Sequence, residues 1–207
     1  AERFAALTAT GAPLTGTHGY QTNILTEATI TPEVEEGEES VVKNACGNIC
    51  QVFEQCDRLK SVTIEQTVCS LEPELFTLLT GGRSFSSAGT TRGLEFPLPT
   101  DACQNGTSAE FWQLAWDNTT QETLGGSLLY VHWIFPKVLW QWSDFTINGE
   151  ITTFKVTGKA KVNPLITANG PFDDWPTFLS GPGGMTGLGG FIFDTVTIPA
   201  GTCSLVN

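Results

Sequence analysis

The stretch from Ser61 to Cys69 reads SVTIEQTVC. Its apolar residues alternate with polar ones, which is the two-residue period of a β-strand with one face in a core. The same period returns from Phe154 to Val162, FKVTGKAKV, where apolar side chains alternate with lysines and threonine. Strands are therefore expected to be the main element of the chain.

Further strands are predicted on both sides of this stretch, and prolines mark several of their ends. They are expected at Tyr20–Thr31 before Pro32, Glu110–Trp116, Leu128–Phe135 before Pro136, and Phe191–Ile198 before Pro199. A chain of 207 residues lies within the range that all-β proteins occupy as one domain, so residues 1–207 are taken as a single domain.

Only one segment has a helical period. Pro73 suits a first helical position, and Gly81-Gly82 provides a C-terminal stop. A helix of two turns at most is too short to be stable unless it docks on a sheet. Its predicted buried stripe consists of Leu75, Phe76, Leu78 and Leu79.

The charge balance is acidic, with 10 Lys+Arg against 22 Asp+Glu and a net charge of -12. A protein that grips nucleic acid needs a basic surface, so that class is disfavoured, although DNA that merely passes by is compatible with an acidic wall. The sequence has no run of about 20 apolar residues, and no membrane span is expected. The N-terminal residues do not form the apolar core of a signal peptide.

Three long segments look irregular: Pro32–Asp57, Gly82–Asn105 and Asn163–Gly190. Loops beyond about 15 residues are uncommon in a self-contained domain and tend to be functional or to order on a partner. We expect the first and third, roughly residues 32–57 and 163–190, to make assembly contacts.

The cysteines do not have zinc-ribbon spacing. Disulfides or buried thiols are the expected alternatives, and six cysteines allow 15 pairings between which the sequence does not choose. They are Cys46, Cys50, Cys56, Cys69, Cys103 and Cys203.

No motif for catalysis is present, and no cofactor or metal is expected. There is no GxSxG, HExxH or phosphate-binding loop. His18 lies in a Gly/Thr turn, and His132 is expected to be a hydrogen-bonded core residue. The neighbouring Asp173 and Asp174 lack a second acid of the kind that a glycosidase needs, so they are interpreted as a turn.

An acidic run lies in the first long loop and does not have the pattern of an EF-hand. It is expected to be either a solvated loop or a contact for the lysine face of a neighbouring copy. The run consists of Glu33, Glu35, Glu36, Glu38 and Glu39, and the lysines are Lys155, Lys159 and Lys161.

Several fragments, in this order and spacing, resemble major tail proteins of long-tailed phages that infect actinobacteria. The resemblance runs from about residue 3 to the last strand, and its cysteine pattern differs enough that no pairing is carried over. The fragments are VVKNACG (41–47), CDRLK (56–60), VTIE (62–65), LEPELF (71–76), LLTGG (78–82), EFW (110–112), LYVHWIFP (129–136), DFTI (144–147) and GPFD (170–173).

The resemblance implies a β-sandwich with one short flanking helix and no enzymatic activity. Such subunits form homohexameric rings that stack into a tube, with sheets joined into a closed barrel around a channel. The implied partners are further copies of the chain, the tape measure protein, and the tail terminator and distal tail proteins. DNA would pass through without specific binding, in a virion tail assembled in the host cytoplasm.

Within such a tube, Glu27 and Glu65 are the candidates for side chains that face the channel, because their strand faces are otherwise uncharged. Lys155, Lys159 and Lys161 are then expected on a different surface. Two alternatives remain. One is another virion β-sandwich protein, in the distal tail or decorating the capsid. The other is a secreted carbohydrate-binding β-sandwich, suggested by the six tryptophans and the acidic loop.

Overall fold

The computed structural model describes residues 1–8, 10–14, 19–96, 106–114, 130–145, 153–166, 187–194 and 204–206. The predicted mainly β fold is confirmed, with antiparallel strands and one helix. In chain order the elements are β1 (Glu2–Ala6), β2 (Gly19–Thr22), β3 (Leu25–Glu35), β4 (Glu39–Lys43), β5 (Ile49–Glu54), β6 (Arg58–Val68), α1 (Pro73–Thr80), β7 (Arg83–Ser87), β8 (Thr90–Glu95), β9 (Gly106–Leu114), β10 (Tyr130–Phe145), β11 (Phe154–Ala160), β12 (Gly190–Asp194) and β13 (Ser204–Val206).

Nine of these strands form one main sheet, in the order β13-β2-β1-β9-β10-β11-β6-β3, with β12 paired to β10. The remaining four strands form two separate hairpins, β4-β5 and β7-β8. The alternation that predicted β6 and β11 is confirmed, because Val62, Ile64, Gln66 and Val68 are all buried on one face. Val156 and Ala160 of the neighbouring β11 are buried on the same face.

The main sheet rolls over its buried face. Gln66 on β6 donates a hydrogen bond from its side-chain amide to the carboxyl of Glu2 on β1. These strands are four steps apart in the sheet, which would be about 19 Å if the sheet were flat. The two ends of the sheet therefore face each other across a shared core.

The helix closes this core as predicted. Pro73 occupies its first turn, and Gly81 ends it in the left-handed conformation at φ 72°, donating its N–H to the Thr77 carbonyl. Leu75, Phe76 and Leu79 are buried, and Leu78 is partly buried against the same cluster. The Phe76 ring stacks on Trp142 of β10 at 4.7 Å between centroids.

Pro32 and Pro136 do not end strands as predicted, and Pro199 lies outside the described residues. Pro32 lies inside β3, which is an edge strand of the main sheet, where a missing N–H is tolerated. Pro136 lies within β10, at a register irregularity between Phe135 and Val138. A bulge leaves a residue out of the ladder, so β10 continues through it to Phe145.

The predicted irregular segments Pro32–Asp57 and Gly82–Asn105 are wrong in their central parts. The first holds the end of β3 and the β4-β5 hairpin, and the second holds the β7-β8 hairpin. Polar composition hid these strands because β4-β5 is exposed on both sides, and among the described residues β7-β8 contributes only the partly buried Leu94 to the core. Other predictions lie outside the described residues, namely those for His18, Cys103, Cys203, Asp173, Asp174 and residues 167–186 of the third segment.

Substitution of Phe76 tests whether the helix holds the core. Phe76→Ala removes a fully buried ring that contacts Trp142 and Phe154. We expect the free energy of unfolding to fall by about 3–5 kcal/mol, measured by urea denaturation. The exposed Phe85→Ala is the matched control and should change it by less than about 1 kcal/mol. Equal stabilities of the two variants would contradict a docked helix.

The buried Glu2 makes the stability of the fold depend on pH. Burial raises the pKa of Glu2 to about 8. Between the ordinary carboxyl pKa and this value, the unfolded chain releases the proton while the folded chain retains it. The free energy of unfolding therefore falls as the pH rises through this window. Glu2→Gln removes the titration, so its stability advantage over the parent should grow from pH 4.5 to pH 8, reaching at most a few kcal/mol. Parallel pH profiles for parent and variant would contradict this assignment.

Candidate assembly surfaces

A polar face covers the outer side of β3, β6 and β11. The register places Glu27, Thr67 and Lys155 side by side across the three strands. One step along, Glu65 lies between Thr29 and Thr157, and then Thr63 lies between Thr31 and Lys159. Both glutamates are exposed. Glu27 and Glu65 thus share this face with Thr63 and Thr67.

The expectation of a different surface is wrong for Lys155 and Lys159. Lys155 and Lys159 belong to the polar face, because β11 pairs with β6 in the register that aligns them with Thr67 and Thr63. Lys161 follows the end of β11 and is exposed, with its backbone N–H bonded to the Lys137 carbonyl at 2.8 Å. The face therefore mixes both charges instead of being purely acidic.

One acid of the predicted acidic run takes part in this polar face. The Glu33 carboxylate accepts hydrogen bonds from the hydroxyls of Ser61 and Thr63, and Lys159 Nζ lies 3.7 Å away. The two hydroxyls, followed by the lysine charge, lower the pKa of Glu33. Lys159 therefore lies close to an acid of its own chain. The sequence alone left open a contact between these acids and the lysines of a neighbouring copy.

The second surface is a protruding arm formed by residues 36–57, which continues the paired ends of β3 and β6. Every residue from Glu38 to Lys60 is exposed. The remaining acids of the run lie at its base: Glu35 pairs with Arg58 at 2.8 Å, Glu36 and Glu38 lie in the connection, and Glu39 begins β4. The hydrogen bond and charge of Arg58 lower the pKa of Glu35.

The base of the arm requires glycine at position 37. A Cβ on Gly37 would lie 1.5 Å from the Gln55 carbonyl oxygen, which is backbone and cannot give way cheaply. The Gly37 N–H donates to Asp57 Oδ1 at 2.8 Å, and the Gln55 N–H donates to the Glu38 carbonyl. These close contacts tie the hairpin to the end of the main sheet.

Apolar side chains project from both sides of the arm. Val41 and Val52 are paired on one side, and Val42 and Phe53 lie on the other. Phe53 and Ile49 are each 61% exposed. A two-stranded hairpin is marginally stable alone in water, and exposed apolar clusters mark interaction sites. The arm therefore has the character of a contact surface.

The arm also carries three of the cysteines. Cys46, Cys50 and Cys56 are free and exposed, as is Cys69 at the end of β6. For these four residues the expected disulfides or buried thiols are wrong, because all four side chains are free and exposed. Among the described residues, no group of His, Cys, Asp and Glu side chains is arranged to hold a metal ion.

The third surface is a groove of about 530 Å³ beside the first half of β3. No described strand pairs with the outer edge of β3, so its backbone groups on that side are open to a further strand. Apolar and aromatic side chains line the groove together with Thr26, Glu27 and Gln113. The lining includes Leu25, Ala28, Ile30, Phe111, Trp112 and Trp133.

A buried ionic cluster lies on the sheet face opposite the core and was missed by the sequence reasoning. Glu110 Oε2 accepts from Arg3 Nη2 at 3.0 Å and lies 2.8 Å from His132 Nε2. The Trp112 indole stacks on the His132 ring, and the Arg3 guanidinium lies over the same indole. His132 is buried and hydrogen-bonded as expected, but it lies on the sheet face away from the core, so its predicted place in the core is wrong. Because all four residues are buried, the cluster is interpreted as structural.

Comparison with known proteins does not place the chain in a family. No family model matches it, and no curated protein is significantly similar. Within the part of the chain that the structure describes, no helix is long and apolar enough to cross a membrane.

Removal of Glu110 tests the structural interpretation of the ionic cluster. Glu110→Ala leaves the Arg3 guanidinium buried without its carboxylate, and we expect a loss of about 3–5 kcal/mol in the free energy of unfolding. Glu95→Ala breaks the exposed pair with Arg83 and should cost at most about 1 kcal/mol. Urea denaturation of both variants gives the comparison. A loss in Glu110→Ala no larger than in the control would contradict the interpretation.

Proposed function

We propose that this chain is a structural subunit that polymerises with copies of itself into the tail tube of a long-tailed bacteriophage. The observation that carries the proposal is the arm, which exposes apolar side chains on both sides and has every residue from Glu38 to Lys60 in solvent. The ordered resemblance to major tail proteins supports the same assignment.

The edge of the main sheet also supports assembly. β3 is 11 residues long and has no described strand on its outer side, and an open edge of this length is a template for pairing with another chain. In a ring of subunits, strand pairing from copy to copy would close the sheets into a barrel without edges. Closed homo-oligomers of this kind use the same surfaces on every copy.

The polar face suits the wall of a water-filled channel. Its hydroxyl-bearing and charged side chains are stable when they are solvated by water. Glu27 and Glu65 remain the proposed channel-facing residues. The lysines on this face do not give it a basic character, because Lys159 lies near Glu33 and Lys155 lies across Thr67 from Glu27. DNA would slide along such a wall, since tight binding requires basic groups that neutralise phosphates.

The structure offers less support for a carbohydrate-binding function. A sugar-stacking site needs aromatic rings that are open to solvent. Of the tryptophans whose side chains are described, Trp112 and Trp140 are buried and Trp133 and Trp142 are partly buried. The arm and the open edge of β3 are also compatible with another virion protein, in the distal tail or on the capsid. The shape of the assembly distinguishes that role from a tail tube.

Electron microscopy of the purified chain tests the proposal. We expect rings or tubes, and we expect assembly to increase from 0.05 to 0.5 M salt, because the net charge of -12 opposes self-association and salt screens it. A compact monomer at all concentrations and salt levels would overturn the proposal.

Deletion of the arm tests its part in assembly. Joining residue 37 to residue 56 removes residues 38–55 at the point where Gly37 already contacts Gln55 and its neighbour. We expect a folded subunit with unchanged thermal stability that does not form tubes, because the main sheet and core lie elsewhere. The matched control shortens the β7-β8 hairpin and should assemble normally. Normal tubes from the arm deletion would exclude a role for the arm in stacking.

A further inference from the structure

Two surfaces of this chain have no partner among the residues that the structure describes, and they complement each other. The arm presents apolar side chains to solvent, and the groove beside β3 is lined by apolar and aromatic ones. We propose that the groove receives the arm of a second copy of this chain, so that one arm strand adds to the free edge of β3. This inference rests on the proposed self-assembly and names the surface that the arm binds.

The alternation of side chains along the arm fits such a contact. A strand added at β3 would place alternate residues on the side of Ala28 and Ile30, which line the groove, and the others on the side of Glu27. On the arm, Val42 and Phe53 share one side, and Val41 and Lys43 project from the other side of β4. One orientation therefore puts Phe53 and Val42 into the groove and Lys43 beside Glu27.

The charges of the two surfaces agree with this orientation. Lys43 is the one basic residue between residues 36 and 57. Glu27 is the charged side chain among the described residues that line the groove, and the N-terminal amino group of Ala1 lines it as well. Phe53 is the aromatic side chain of the arm and is 61% exposed, and aromatic anchors in pockets typically carry much of the binding energy of an interface.

Geometry requires the occupant to be a different copy. The groove lies along Leu25–Ile30, and the same strand continues away from it to Glu35 and the arm. From Ala28 to Val41 the chain advances 13 residues, or roughly 40 Å at about 3.3 Å per residue. The contact is therefore head-to-tail and displaces each copy by up to roughly this distance along β3. Contacts of this type generate rings where the rotation between copies closes, and open helical stacks where it does not.

Photo-crosslinking at position 53 tests the contact in the full chain. p-Benzoylphenylalanine replaces Phe53 in copies of normal isotopic composition, which are mixed with copies labelled with nitrogen-15. We expect crosslinks between a normal and a labelled copy that end in peptides containing residues 25–30 or 111–113. The same photo-residue in place of the exposed Phe85 is the control and should give no crosslinks to these peptides. Crosslinks that lie within one copy, or that end elsewhere on the second copy, would overturn the proposal.

Charge reversal provides an independent measurement. Lys43→Glu and Glu27→Lys should each weaken self-association by about tenfold in sedimentation experiments, and the double variant should restore it. Both residues are exposed, so folding should be unaffected in each single variant. Glu65→Lys, on the same polar face but outside the groove, is the control and should associate like the parent. Parent-like association of both single variants, or a double variant weaker than either, would count against the Lys43–Glu27 contact.

The outcomes separate this inference from the proposed function. Tubes without arm-to-groove crosslinks would leave the function standing and overturn the inference. Head-to-tail oligomers with these crosslinks but without tubes would support the inference and contradict the function. A chain that stays monomeric would overturn both.

Discussion

Trp140 is the side chain on which the rolled sheet depends. It is fully buried on β10, packs edge-on against Phe4 of β1 at 5.8 Å, and donates its indole N–H to the Thr107 hydroxyl of β9 at 2.8 Å. Its cross-strand neighbour on β11 is Gly158, where a Cβ would lie 2.7 Å from the indole ring. One large ring thus contacts three strands, and the absence of a side chain at position 158 makes the space for it. Because the sheet curves around this ring, one end of β3 lies near Phe111 and Trp133, and the groove forms between them.

Much of the fold could be predicted from residue patterns, because the patterns there reflect burial. The alternation in β6 and β11 predicts which of their side chains are buried, and so does the apolar stripe of α1. The hairpins could not be predicted in this way. The strands of the arm expose both sides, so Val41 and Val42 follow each other without alternation and the acids around them suggest a loop. Pro32 and Pro136 were misleading for a different reason: an edge strand and a bulge are the places in a sheet where a missing N–H costs little.

The candidate surfaces were harder to predict than the elements that carry them. Glu27 and Glu65 could be assigned to one face from alternation, but the position of Lys155 and Lys159 depends on which strands are neighbours, and that is set by the tertiary pairing of β11 with β6. The ionic cluster brings together residues that are more than 100 positions apart. A sequence signal for it existed in the charged Arg3 next to Phe4 and in Glu110 next to Phe111-Trp112, since a charge inside an apolar strand needs a buried partner.

Pro32 has a consequence for the behaviour of the subunit before it meets its partners. A long, open edge strand exposes any newly made protein to indiscriminate aggregation, and natural sheets commonly guard such edges with proline or charge. Here the proline divides β3, so the row of amide donors is interrupted between Thr31 and Glu33, and Glu33 and Glu35 follow. Amyloid-like growth along the whole strand is thereby disfavoured, while the segment from Leu25 to Thr31 retains every amide. Uncontrolled strand pairing is therefore disfavoured at the C-terminal end of β3, while its N-terminal end can still accept a strand. Free subunits at high concentration are expected to aggregate less as a result.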